Sequence, residues 1–319
     1  MSKLAGNHFL VFALLLFAMA PRSAGFLLML AGLVIFFPLS LDPLRRLPKE
    51  RLLLFPFTTS ERIRIRILGF LFSPVPWVIL GVPIWAGRRY LRVSWMLLLV
   101  AVAANAMSIL WLRDIDQARR WRLLPTGSGP LGGLVVKNLR EMFHLLDPYA
   151  GLALALAATV YRVTSPKPDP EAVLGLSLLV ALTLSSAAQR LFALDSKHGL
   201  TRYALMPMAG WRVLLAKDTA FLLVLLMLVL PLNPCAGLAA GLVLLAFGHG
   251  PSILDPQPQT PWCFVSGARG WSGWVQVLAM FAAGIATFRW SPVILIPCLA
   301  GYLGSLFYFG ARLEGRWRG

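Results

Sequence analysis

Ten uninterrupted apolar runs leave few folds open to this chain, near 8–20, 24–41, 67–86, 93–112, 148–163, 172–189, 218–232, 236–248, 275–288 and 292–310. A bilayer core takes about 20 apolar residues per helix. In lipid a spanning backbone must satisfy its own hydrogen bonds, which leaves helices or closed barrels. The runs do not alternate, so helices are expected. Composition agrees: 58% of residues are hydrophobic and 13% charged, where a soluble domain has about a quarter charged. The expected fold is all-α, a polytopic integral membrane helical bundle of about eight to ten transmembrane helices. Residues 1–319 read as a single transmembrane domain, because the loops are too small for a core of their own.

Two stretches leave the span count open. Residues 8–41 read as two short helices broken at Pro21-Arg22 or as one kinked span, and 218–248 poses the same choice at "PLNPC". Cytoplasmic loops collect Lys and Arg, and ten spans with both termini inside place most of the 30 cations there. The outside keeps Arg22, Arg162, Lys167, Arg289 and the trio Arg88, Arg89 and Arg92. The first twenty residues also resemble a signal peptide, with Lys3 before an apolar core and Ala18-Met19-Ala20 after it. The net charge of +17 fits attraction to an anionic inner leaflet better than nucleic acid. The chain is therefore expected in the plasma (inner) membrane with both termini cytoplasmic.

The cytoplasmic segments, about 42–66, 113–147 and 190–217, share one design. In each a proline follows a bulky apolar residue: Pro56, Pro125 and Pro207. Small or polar residues follow, then a basic stretch that leads into the next apolar run. The residue before proline avoids the α region, so a helix should stop there. Thr59 or Ser60 is placed to cap the next helix, with Glu61 in its first turn facing the positive end of the dipole. Arg62, Arg64 and Arg66 alternate with isoleucines. Such an elbow is either an interfacial anchor or a docking surface for a cytoplasmic partner.

Little in the sequence points to bond chemistry. The histidines His8, His144, His198 and His249 and the cysteines Cys235, Cys263 and Cys298 form no metal-binding spacing. The 13 acidic residues read as loop residues, with none firmly inside a span. Ionisable groups, the usual pointer to an ion path, are expected only at span ends, as with Arg162 and Arg190. Asn105 and Gln189 are expected to make helix–helix hydrogen bonds. No catalytic residue, cofactor or metal ligand is assigned.

The stretch "RLFALDSKHGLTRYALMPMAGWRVLLAKD", 190–218, resembles a segment of ABC-2-type transporter permease subunits. Phe192, Asp195, Gly199, Tyr203, Pro207 and Lys217 fall on that family's pattern, while Arg190, Ala193 and Asp218 replace its Asn, Gly and final Asn. "GHGPSILDPQP", 248–258, is similar to a second family stretch, with Gly248, Ser252 and Pro256 matching and His249 in place of Asn. "LPKERLLLFPFTTSER" resembles a third. The resemblance implies the membrane half of an ATP-driven exporter, a homodimer or heterodimer of permeases in membrane lipid, without nucleic acid. It implies a separate ATP-binding cassette ATPase subunit, and the sequence has no GxxxxGK[ST] loop of its own. The implied coupling surface is Arg202, Tyr203, Pro207, Arg212 and Lys217, followed by Pro56, Glu61 and Arg62. Two other readings stand beside it: an integral membrane enzyme acting on lipid or lipid-linked substrates, using Asp195 or His198, and an assembly protein without turnover.

Overall fold

The computed structural model describes residues 58–71, 129–164, 167–192, 195, 203, 205, 208–254, 264–265 and 271–318. The chain divides into two compact units, treated separately. Of one, only the segment around α1 (Thr59–Leu71) is described. The other holds α2 (Gly129–Met142), α3 (Asp147–Thr164), α4 (Pro170–Thr183), α5 (Ser185–Ala188), α6 (Gly210–Val229), α7 (Pro234–Leu254), α8 (Trp271–Arg289) and α9 (Leu295–Arg318). Every regular element among the described residues is helical.

Local chemistry explains the helix starts. Thr58, rather than Thr59 or Ser60, caps α1: its hydroxyl accepts from the Glu61 amide, and the Glu61 carboxylate accepts from the Thr58 amide at 2.8 Å. This reciprocal box satisfies two orphan donors. The Thr58 amide and hydroxyl also hold the Glu61 carboxyl below the ordinary carboxylate range. Thr58→Ala is expected to raise amide exchange in the first turn of α1 about fivefold, the equivalent of about 1 kcal/mol of cap, as read by hydrogen–deuterium exchange; unchanged exchange would discard the box. Asp169 caps α4 by accepting from Glu171, with Pro170 at the first helical position. Asn233 accepts from Ala236 at 3.1 Å and starts α7. The "PLNPC" choice is thereby decided, because 218–248 contains two helices separated by a turn. Arg162 of α3 donates to the carbonyls of Pro231 and Leu232 and holds that turn. The apolar run 172–189 is interrupted at Leu184, between α4 and α5. The runs 8–20, 24–41 and 93–112, and most of 67–86, lie outside the described residues.

Pro234–Leu254, Trp271–Arg289 and Pro292–Arg316 are long and apolar enough to cross a membrane. A fourth candidate is the pair α2 and α3, bent by 78° between them. Burial falls steeply among the first three, from 61% to 33% to 17% of the span. α7 is thus the central helix, while α8 and α9 turn Leu278, Ile296, Phe307 and similar side chains outward. An outward apolar surface of this extent fits lipid, not water. Small residues on α7, among them Ala236, Ala239, Ala240 and Gly241, are buried against α6 and its other neighbours. In lipid, where leucine gains little by leaving its solvent, such close approach is what holds helices together.

Candidate functional site

α6 carries Lys217 and Asp218 in consecutive positions, which a helix aims about 100° apart. Both are buried, at 2% and 0% exposure. They open two separate polar clusters on two faces of one rod. This corrects the expectation from sequence that no acid sits within an apolar helix: α6 begins at Gly210, so the charged pair lies two turns inside it.

The Lys217 cluster joins α6 to α2. Lys217 Nζ lies 2.9 Å from Asp195 Oδ2 and 3.7 Å from Glu141 Oε2, and donates to Asn138 Oδ1 at 3.1 Å. Lys137 Nζ reaches the other Asp195 oxygen at 2.7 Å, Glu141 at 3.2 Å and the Tyr203 hydroxyl at 2.7 Å. Tyr203 in turn donates to Asp195 at 3.0 Å. Phe192 packs edge-on to Tyr203 and lies under Lys217 Nζ at 4.7 Å. Two lysines thus face two carboxylates in a balanced knot. Burial alone would raise the Asp195 carboxyl, but Lys217 and Lys137 more than offset it and hold it below its ordinary range. A cavity of about 30 Å³ lies beside the knot, lined by Asn138, Glu141, Arg190, Lys217 and Phe221 among others. It has room for about two waters, and the Asn138 amide nitrogen has no protein partner there.

The Asp218 cluster joins α6 to α7 and α9. His249 Nε2 lies 3.1 and 3.2 Å from the two Asp218 oxygens, both side chains being fully buried. Tyr302 donates to Asp218 at 3.0 Å. His249 Nδ1 is 2.9 Å from Ser305 Oγ, which also reaches the Ala246 carbonyl at 2.7 Å. Nearby, Gln189 donates to Gln276, and Gln276 to the Leu244 carbonyl. Gln189 therefore makes the helix–helix bond expected of it. The order hydroxyl, imidazole, carboxylate is that of a nucleophile relay. A nucleophile also needs donors aimed at an oxyanion, and the backbone amides beside Ser305 lie within α9.

Of the residues singled out in sequence, Phe192, Asp195, Tyr203 and Lys217 come together. Tyr203 and Lys217 were expected on a docking surface, but each is 2% exposed; they brace the corner from inside. Arg212 is exposed in the first turn of α6, with its guanidinium over the Trp211 ring at 5.3 Å. Glu61 is exposed and engaged in the α1 cap. Arg62 lies on α1, and its side chain is outside the described residues, as are Arg202, Pro207, Pro56, Gly199, Pro256 and His198. Gly248 lets α7 press on α5, since a methyl there would meet the Ala188 carbonyl. Ser252 is buried, its hydroxyl without a hydrogen-bond partner. Tyr302, Ser305, Lys137, Asn138 and Glu141 escaped the sequence reading, which met Asp218 and His249 only as departures from the family stretches. One signal was available: Tyr302 and Ser305 stand three apart on α9, hence on one face. No group of His, Cys, Asp and Glu among the described residues is arranged to hold a metal ion.

No family of known proteins, no curated sequence and no solved structure matches the chain.

Proposed function

We propose that this chain is the membrane-spanning subunit of an ABC-type exporter in the plasma (inner) membrane, with about eight to ten spans and both termini cytoplasmic. A separate ATPase subunit drives it, and two permease chains work together. The reading rests on one observation: four residues of the permease-like stretch 190–218, Phe192, Asp195, Tyr203 and Lys217, converge in one buried knot. That knot fixes the third elbow to α2 and α6, so a push on the elbow moves those helices as one body. Two departures from the family pattern, Asp218 and His249, are also bonded to each other.

Arg212 is an exposed cation of the expected coupling surface. Arg212→Glu is expected to reduce recovery of an ATP-binding subunit in co-purification by about tenfold, the loss of roughly 1.4 kcal/mol of contact. A chain that brings down no ATPase from its native membrane, with or without this change, would remove the reading. A membrane enzyme acting on lipid-linked substrates is the second reading, favoured by the Ser305–His249–Asp218 line. It requires turnover that Ser305→Ala abolishes while partner binding persists.

A further inference from the structure

The geometry of the Asp218 cluster admits two proton counts. Ser305 has one hydroxyl hydrogen and two acceptors within reach, the Ala246 carbonyl at 2.7 Å and His249 Nδ1 at 2.9 Å. When the hydroxyl turns to Ala246, Nδ1 must carry a hydrogen and donate to Ser305. Nε2 then bonds Asp218 only if a further hydrogen sits between them. When the hydroxyl turns to Nδ1, that nitrogen is bare, Nε2 carries the hydrogen and the carboxylate is charged. The two arrangements differ by one proton and one hydroxyl rotation. The first is neutral overall, which a buried site favours; the second holds a net negative charge.

Asp218 and His249 are fully enclosed, but Ser305 is only half-buried. It lies on the face of α9 that carries Gly301 and Gly304, both exposed, and a side chain starting at either glycine would meet nothing within 4 Å. We propose that Asp218, His249, Tyr302 and Ser305 form a proton-binding site enclosed by α6, α7 and α9, with Ser305 at its half-buried edge. The ligand is the proton itself, and its arrival changes the charge of the contact that ties three helices together. Such a change shifts whichever packing binds the proton better. The inference is independent of the ATP-driven reading.

Other charged groups on the surrounding helices are engaged elsewhere. On α6, Lys217 is held by Asp195, and Arg212 lies over Trp211. On α2, Lys137 and Glu141 belong to the Lys217 cluster and Arg140 is half-buried, while buried Arg190, just after α5, lines the cavity beside that cluster. Asp147 and Arg162 of α3 bind the backbone at Val265 and at Pro231 and Leu232. Glu171 of α4 pairs with Arg289 of α8. On α9, Arg312 lies over Tyr308, Glu314 meets the Gly210 amide and Arg316 the Ile253 carbonyl. Among the described residues only Tyr302 adds a titratable group to the pair, and the rings of Tyr302 and Phe309 flank the imidazole.

The test uses the full chain, purified in detergent with nitrogen-15-labelled histidine. Replacing His8, His144 and His198 with Gln leaves His249 as the one imidazole. Between about pH 5 and about pH 9, NMR should show both His249 nitrogens protonated at the acid end. Nδ1 should shift far downfield at the alkaline end. Asp218→Asn should abolish the doubly protonated form. Tyr302→Phe, close in volume, should raise the transition by about one pH unit, because the charged carboxylate loses a donor. A His249 signal that stays fixed across the range overturns the proposal. So does a transition that neither substitution moves.

Discussion

Lys217→Met is expected to lower unfolding stability by about 3–5 kcal/mol, the usual cost of removing one partner from a buried ion pair. The methionine fills the space of the lysine stem, so little of the loss comes from packing. It comes from Asp195, whose side chain is 3% exposed and keeps Lys137 and the Tyr203 hydroxyl but loses its second cation. Asn138 loses the donor to its amide oxygen as well. Adding Asp195→Asn should recover more than half of the loss, because the orphaned charge is then gone. The coupling is measured by a double-mutant cycle on detergent-solubilised protein. Additive losses, with no recovery, would show that the two residues are held by their surroundings and not by each other.

Gly248→Val should be nearly as damaging, by a different route. The first carbon of any side chain at Gly248 meets the Ala188 carbonyl, which is backbone and cannot rotate away. α5 and α7 must separate, at a cost of about 1–3 kcal/mol for overpacking together with the loss of contacts on either side. Gly175→Ala on α4 is the control. It has open space around it and should be neutral or stabilising by up to about 1 kcal/mol. The comparison is read from thermal unfolding of the two variants side by side. Equal midpoints would mean that α5 and α7 are not in firm contact.

The helices from 148 onward were legible because their apolar runs are long. Their caps were not singled out, although Asp169 and Asn233 each directly precede a proline. The elbow at 190–217 was legible as a basic corner, but its inner construction was not. Lys217-Asp218 precedes a run of leucines, so hydropathy places a boundary at the charges. The helix in fact begins seven residues before Lys217, at Gly210, where Glu314 supplies the cap that Ala209 lacks. The Asp218–His249–Tyr302 line was invisible for another reason. Its members lie 31 and 84 residues apart, and nothing local in a sequence announces such a meeting. His249 stood in the sequence as a departure from a family stretch, with nothing to say which residue it would meet.

The bond between Glu314 and the Gly210 amide crosses 104 residues of chain. The last helical turns thus serve as the lid on the first turn of α6, where Gly310 also lies against the backbone of Trp211. Shortening the tail past Glu314 strips a cap from a helix in the middle of the protein. An affinity handle fused there needs a spacer after Arg318, or it will report on a corner it has already pried open.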